Sequence, residues 1–189
     1  MESKFLDRIA NAFNVEIPPA ESMDGYLDKI LPVIRPQSED LREEKFYVGR
    51  HWVEVRDDEE FHELIFHVFN EDNEYIKSTD GEVWFGKWRY LGNKLIFGKL
   101  DPDDEDPTGE AFELAFLDPE FFIMKKLNSP LKFEPNKKYF VLVTEPLARR
   151  IEWKDLMHML FDKYRNNSNF YIMIVLIVLL ICAIVLALS

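Results

Sequence analysis

The chain has 189 residues, a formal net charge of −12 and one cysteine, Cys182. Residues 144–169 hold five basic and four acidic side chains and 170–188 hold none, so residues 1–143 carry −13. Such an acidic domain is repelled by phosphate backbones, which argues against nucleic acid as a partner, and one cysteine excludes an intramolecular disulfide. The length outside the apolar C-terminal run suffices for one well-packed domain and is too short for two of ordinary size.

The first 40 residues are predicted to form a helical segment. Apolar residues recur every four positions within 3–14, and a second helix is predicted from an N-cap at Ser22 to Ile34. Prolines separate and limit the two helices, because proline lacks the amide N–H. The helices either pack on the domain that follows or dock onto a partner, and packing is favoured.

From residue 45 onwards, short aromatic and β-branched runs alternate with turn residues, which is typical of β-strands. The clearest hairpin has Gly92 and Asn93 between two apolar runs, and Asp118-Pro119 marks another tight turn. Eight strands at hairpin spacing predict an antiparallel meander over 41–146, and eight strands can close into a barrel. The predicted strands are 45–56, 62–69, 74–79, 82–91, 94–100, 110–117, 120–126 and 138–144.

Several motifs within 45–165 follow an order found in a known family. They are Gly49-Arg-His-Trp52, Leu64 to Phe66, Asp72 to Tyr75, and a Gly-x-Trp, hairpin and apolar-strand order from Gly86 to Phe97. In this order the region resembles the lipocalin-like (calycin) β-barrel family. The resemblance implies a mainly β, eight-stranded antiparallel barrel with N-terminal helices and a C-terminal helix. Its interior would be filled by side chains or hold one apolar ligand. That family has one residue between the first Gly and Trp, whereas this chain has two.

Aromatic residues on the expected inner face of the barrel are the candidate ligand-contacting residues. Such residues form either a simple core or a ligand-binding box, and a simple core is favoured. Gly86, between two tryptophans, either leaves space for a ligand or marks a bulge. The candidates are Trp52, Phe66, Trp84, Trp88, Phe112 and Phe116.

The sequence shows little catalytic or metal-binding chemistry. His62 and His67 lie five residues apart, which fits neither one face of a helix nor one face of a strand. The acidic loop at 101–109 lacks the Gly and Glu of a calcium-binding loop and is interpreted as a solvated connection. There is no Gly-x-Ser-x-Gly motif and no phosphate-binding glycine loop. We therefore predict no catalytic residue, no metal and no cofactor.

The C-terminal part combines an amphipathic helix with an apolar run. The amphipathic helix is predicted within 147–168, with a break at Asn166-Asn167-Ser168. Residues 170–188 carry no charge, and as a helix they span roughly 30 Å, the thickness of a bilayer core. This predicts a transmembrane anchor at 169–189. Its membrane-spanning residues include Phe170, Ile174, Leu179, Ile184 and Leu188.

The basic residues before the anchor predict its orientation. The N-terminus has no apolar core of signal-peptide length, so the anchor itself is expected to direct insertion. Lys163 and Arg165 keep their flank on the cytoplasmic side, facing the bacterial inner membrane if the source is bacterial. The chain is therefore expected to be tail-anchored, with its folded domain in the cytoplasm. The residues expected to face anionic headgroups are Arg149, Arg150, Lys154, Lys163 and Arg165.

Three functions follow as hypotheses from this organisation. The first is a membrane-tethered, non-enzymatic binding or scaffolding module for a protein partner. The second is a carrier or sensor of an apolar, lipid-like ligand held in the barrel, which a side-chain-filled interior would oppose. The third is an enzyme with a site at the mouth of the barrel, which clustered titratable groups with shifted pKa values would favour.

Overall fold

The computed structural model describes residues 20–58, 63–98, 109–127, 137–149 and 151–188. Within 165–188 it describes the helical backbone, and side chains only at 175–179 and 182. The helix predicted at 3–14, the loop at 101–108, His62 and Arg150 lie outside the described residues, so what the sequence predicts of them stays a prediction.

Eight antiparallel strands form a closed barrel in which consecutive strands pair and the first strand pairs with the last. This confirms the predicted mainly β meander and is consistent with a lipocalin-like architecture. The strands are Trp52–Val55 (β1), Ile65–Phe69 (β2), Glu74–Thr79 (β3), Glu82–Leu91 (β4), Lys94–Gly98 (β5), Gly109–Leu117 (β6), Phe121–Lys126 (β7) and Tyr139–Thr144 (β8).

The two ends of the barrel differ in how their strands are joined. At one end, here called the turn end, residues 70–73, 92–93 and 118–120 make tight connections between β2 and β3, β4 and β5, and β6 and β7. At the opposite end, here called the loop end, β1, β3, β5 and β7 finish and β2, β4, β6 and β8 begin.

The first strand is shorter than predicted, because the chain before it closes the turn end. Residues 44–46 form a 3₁₀ turn, and Gly49 has a φ of +69°, a left-handed conformation that glycine adopts without a steric penalty. The backbone of Glu39 bonds to the end of β6 and that of Gly49 to the end of β2, so this segment crosses the barrel. Its Tyr47 is fully buried and donates to the Leu41 carbonyl at 2.9 Å.

Among the described residues, the α-helices beside the barrel are Met23–Ile34 (α1), Glu145–Ala148 (α2) and Trp153–Leu188 (α3). As predicted, Ser22 caps α1, and its side chain accepts a hydrogen bond from the Gly25 amide at 3.2 Å. Helices α1 and α3 pack against each other and against the outside of β6, β7 and β8, where they bury an outer core. Helix α1 therefore braces the barrel, as favoured from its sequence.

The predicted break at 166–168 is wrong, because α3 continues through it as one helix of 36 residues. At 1.5 Å per residue, a continuous helix places Lys154 about 24 Å from Phe170 along its axis. This disagrees with a basic helix that lies along a membrane surface beside the anchor. Among the residues whose side chains are described, no helix is long and apolar enough to cross a membrane. The anchor stays a prediction.

Candidate functional site

The interior of the barrel is filled by aromatic rings, which include three of the candidate ligand-contacting residues. Trp52, Trp88 and Phe112 are at most 3% exposed and belong to one inner core. Trp84 is partly buried and packs against that core. Ring centroids in this core lie close together, 4.7 Å apart for Phe97 and Phe112. The barrel interior is therefore a packed core that extends from the turn end to Phe97, one residue before β5 finishes at the loop end.

Phe116 and Phe66 do not line the interior, contrary to prediction. A β-bulge between Leu114 and Phe116 interrupts the alternation of β6, so Leu114 lies in the inner core and Phe116 in the outer core. In β2, His67 and Phe69 face inward. Phe66 is one residue before His67, and because successive side chains of a strand face opposite sides, Phe66 faces outward.

A buried polar network lies inside the barrel on the loop-end side of this core. The phenolic oxygen of Tyr75 is 2.6 Å from Nδ1 of His67, and Nε2 of His67 is 3.2 Å from Oε2 of Glu54. Nε of Arg56 donates to Oε1 of the same carboxylate at 2.6 Å. A neutral histidine satisfies every group here: Tyr75 donates to Nδ1, and Nε2–H donates to Glu54.

Three further charged residues occupy inward positions beside this network. Lys77 pairs across strands with His67 and with Trp84, and therefore shares their inner face. Glu110 pairs with the inner-core residue Phe97, and Lys126 with Phe112, which places both on the inner face as well. Each of the three is partly buried. We call this set the loop-end cluster: Glu54, Arg56, His67, Tyr75, Lys77, Glu110 and Lys126.

Burial and hydrogen bonding act in opposite directions on the central pair. Burial by itself would raise the pKa of Glu54, but hydrogen bonds and charge from His67 and Arg56 outweigh it and hold the pKa at about 2. Burial lowers the pKa of His67, against the attraction of Glu54. At neutral pH the pair is therefore an ionised carboxylate beside a neutral imidazole.

The two other perturbed groups of the cluster are held in their protonated forms more strongly than usual. Burial, and then the nearby Glu54 carboxylate, raise the pKa of Tyr75. Burial also raises the pKa of Glu110, while the charges of Lys126 and Lys77 partly oppose that shift. Glu54 is thus too weak a base, Tyr75 too weak an acid, and both nitrogens of His67 are occupied. This arrangement does not favour proton transfer by these three groups.

Gly86 makes room for the neighbouring tryptophan. A Cβ at this position would lie 2.4 Å from the Gly98 carbonyl oxygen and 2.6 Å from the Trp84 ring. The indole of Trp84 therefore lies over Gly86, and its centroid is 5.8 Å from that of Tyr75. The space left by the missing side chain is occupied by Trp84, and the ring forms a wall beside the polar network.

The polar members of the cluster form no short-range sequence motif, so the sequence does not predict them. The partners of His67 are not the nearby His62 but Glu54 and Tyr75, which lie 13 and 8 residues away on neighbouring strands. Strand parity was the available signal. Glu54 lies two residues from Trp52, His67 two from Phe69, and Lys77 two from Tyr75, so each shares a face with an aromatic residue.

A second polar network fixes α3 to the turn end. The buried Asp118 accepts hydrogen bonds from the amides of Glu120 and Phe121, from Lys163 Nζ at 2.9 Å and from Tyr164 Oη at 2.5 Å. Burial opposes the charge on Lys163, but hydrogen bonds to Glu120 and Asp118 raise its pKa. The charge of Lys163 is therefore paired within the domain, and its predicted role at lipid headgroups stays a prediction.

Two other basic candidates for the membrane surface have described side chains, and each has a local partner. Arg149 pairs with Glu145 at 2.6 Å, and Lys154 lies over the ring of Trp153 at 5.4 Å from its centroid. Within the described part of the chain, there is no group of three His, Cys, Asp or Glu residues that could hold a metal ion.

In comparisons with known proteins, no family model, no curated protein and no solved structure matches this chain.

Proposed function

We propose that this chain is a membrane-anchored, non-enzymatic binding module whose barrel lies on the cytoplasmic side and presents its loop end away from the bilayer. The observation that carries the proposal is the position of α3. Its Tyr164 and Lys163 are held by Asp118 at the turn end, and the helix then continues towards the apolar run 170–188.

The attachment of α3 supports a defined orientation. Phe170 follows Tyr164 by six positions, which is about 9 Å of helix, so an anchor beginning at Phe170 would hold the turn end close to headgroups. The loop-end cluster lies at the opposite end of the same barrel and would face the cytoplasm. In the sequence, Arg165 precedes the apolar run and favours that side by the positive-inside rule.

The interior supports binding of a polar ligand or partner over carriage of a lipid-like one. Packed rings occupy the inner core near the turn end, where an apolar ligand from the bilayer would have to enter. Charged and polar groups line the interior near the loop end, which faces away from lipid in this orientation. Buried polar groups of this kind provide specificity for polar ligands.

Depth measurements on strand β4 test the proposed orientation, because this one strand runs from end to end of the barrel. Glu82 and Leu91 are both exposed and stand at its two ends, about 30 Å apart along the strand. In a Cys182→Ala background, Glu82→Cys and Leu91→Cys would each be labelled with a fluorophore in the full chain reconstituted in vesicles. We expect headgroup-attached quenchers to reduce the emission at Leu91→Cys more strongly. Equal quenching, or the reverse order, would contradict the orientation.

The anchor itself is tested by carbonate extraction. The full chain should stay with the vesicle pellet, and a chain without 170–188 should move to the supernatant. Retention of the shortened chain in the pellet would show that a part of the protein outside 170–188 binds the membrane.

A further inference from the structure

A contiguous apolar surface lies on the outside of the barrel, across strands β2, β3 and β4. On these strands Phe69, Tyr75 and Trp88 point into the inner core, and successive side chains of a strand face opposite sides. The apolar residues at the alternate positions therefore face outward, and the register of the three strands places them side by side. We call them the β2–β4 patch: Phe66, Val68, Ile76, Val83 and Phe85.

The β2–β4 patch is exposed, whereas the opposite side of the barrel is covered. Val83 is 55% exposed and Phe85 is 61% exposed, and the other three members are partly exposed. On the opposite side, α1 and α3 bury the outer faces of β6, β7 and β8. Neighbouring apolar side chains that share one exposed surface indicate a binding surface, unlike isolated ones. The patch therefore calls for an occupant.

The chain that precedes α1 starts from the loop end of the barrel. The amide of Met23 donates to the carboxylate of Asp57 at 2.7 Å, and Asp57 lies two residues beyond the end of β1. Asp24 accepts a hydrogen bond from the amide of Tyr139 at 3.1 Å, where β8 begins at the same end. Residues 1–19, which lie outside the described residues, are therefore attached at the loop end beside β1 and β8.

This segment is long enough to reach the patch. Phe66 and Val83 each stand at the second position of their strands, β2 and β4, so the patch extends to the loop end. Strand β3, in the middle of the patch, is two strand spacings from β1, which is about 10 Å. Residues 15–19 can span about 17 Å when extended, so a helix formed by 3–14 can lie across the patch.

The segment carries an apolar stripe of matching size. Phe5, Ile9 and Phe13 recur every four residues, and in a helix they form one stripe about 12 Å long. The three strands of the patch are together about 10 Å wide. A segment of the same chain is present at an effective concentration on the order of mM. A second copy, by contrast, carries a net charge of −12 and is repelled.

We propose that residues 3–14 form an amphipathic helix whose apolar stripe covers the β2–β4 patch of the same chain. The N-terminal segment then closes one side of the barrel, as α1 and α3 close the other. A protein partner that docked on this patch would have to displace the segment. The inference goes beyond the proposed function and rests neither on the anchor nor on the orientation of the barrel.

Thiol accessibility in the full chain, reconstituted in nanodiscs, tests the proposal. In a Cys182→Ala background, Ser78→Cys places a thiol in the middle of the patch. Ile9→Asp places a charge on the apolar stripe, and we expect the thiol then to react with N-ethylmaleimide at least about tenfold faster, because the segment no longer covers it. Asn11→Asp adds the same charge on the opposite side of the helix and should leave the rate unchanged.

Leu91→Cys is the control thiol, because it lies on the outward side of the same strand β4 but outside the patch. Its rate should be the same with and without Ile9→Asp. The proposal is wrong if Ile9→Asp leaves the rate of Ser78→Cys unchanged, or if it accelerates Leu91→Cys by the same factor. Protection of Ser78→Cys that increases with protein concentration would indicate a second copy as the occupant and would also contradict the proposal.

Discussion

The two ends of the barrel differ in the side chains that occupy their interior. At the turn end, Tyr47 enters the interior and contacts Phe122 with 5.4 Å between ring centroids, and the indole of Trp52 donates to the Tyr47 carbonyl at 3.0 Å. At the loop end, the same inner face carries Glu54, His67 and a set of partly buried charges. One end is filled with apolar rings, and the other is lined with charged and polar groups.

The two ends are expected to contribute differently to the stability of the fold. Apolar burial at the turn end contributes free energy without any requirement for charge, and it also seals the end to which α3 is fixed. Burying charged groups at the loop end costs desolvation free energy, so these groups contribute less to stability than apolar side chains do. Substitutions at the turn end should therefore affect the free energy of unfolding more than substitutions at the loop end.

Truncating one tryptophan at each end gives the largest expected contrast. Trp52 is fully buried, whereas Trp84 is partly buried. Trp52→Ala should lower the free energy of unfolding by about 3–5 kcal/mol, because it leaves a cavity in the sealed end, and Trp84→Ala by about 1 kcal/mol. Urea unfolding of the full chain in detergent, followed by circular dichroism, would measure both. Equal losses would remove the distinction between the ends.

Removing Asp118 should have the next largest effect. Asp118→Ala leaves two backbone amides and the Tyr164 hydroxyl without their acceptor, while Lys163 keeps Glu120, and should cost about 2–3 kcal/mol. Glu71→Ala, an exposed acidic residue at the same end, serves as the matched control and should change stability by less than about 0.5 kcal/mol. If both variants unfold at the same urea concentration as the wild type, the network does not hold α3 to the barrel.

Gly86→Ala should cost about 2 kcal/mol, since the new methyl group meets the Gly98 carbonyl oxygen and the Trp84 ring. Displacement of the indole should also shift the tryptophan emission spectrum. Lys87→Ala, at the exposed neighbouring position, is the control and should change neither quantity. An unchanged spectrum with full stability would show that Trp84 does not lie over Gly86.

The smallest expected effect is a change in how stability depends on pH. The pKa of Glu54 is about 2 when folded and lies below its ordinary value of 4.5, so its contribution is present above pH 4.5 and is lost as pH falls towards 2. The lowered pKa of His67 acts in the same direction, from pH 6.5 downwards. Glu54→Gln should be about 1–2 kcal/mol less stable than the wild type at pH 7, and the gap should narrow by pH 3.

Neighbouring charges set the limits of this pH test. Arg56, Lys77 and Glu110 all act on the pair, and the raised pKa of Glu110 works in the opposite direction, stabilising the fold below pH 4.5. The quantity to compare is therefore the difference between variant and wild type in urea titrations at pH 7, 5 and 3. A constant difference across these pH values would show that Glu54 is not ionised in the folded chain.

The strands of this barrel could be predicted because the local sequence dictates them. Runs such as 74–79 and 82–91 begin and end as predicted, since turn residues punctuate them and aromatic or β-branched residues fill them. The segment at 45–51 has the same texture, yet it closes the turn end. Whether Tyr47 belongs to a strand or to a plug depends on the space left by distant side chains, which local patterns do not report.

The candidate site was predicted in part, for a related reason. Trp52, Trp88 and Phe112 were placed inside correctly, because strict alternation carries that information. The contact between His67 and Glu54 depends on the register between β1 and β2, which pairs Trp52 with His67. Register is a property of two strands together, and therefore one strand read by itself does not reveal the buried pair.

The bulge in β6 lets a single strand serve both hydrophobic cores. Before it, Leu114 points to the rings inside; after it, Phe116 turns outward to meet Tyr164, at 5.1 Å between ring centroids. One extra residue thus reverses which side of the sheet the following residues face, next to the point where α3 docks. If Ala115 instead paired with Ile123 in regular register, Phe116 would pair with the inward-facing Phe122, turn inward and no longer contact Tyr164. The aromatic contact between α3 and the barrel at Tyr164 therefore depends on this single β-bulge.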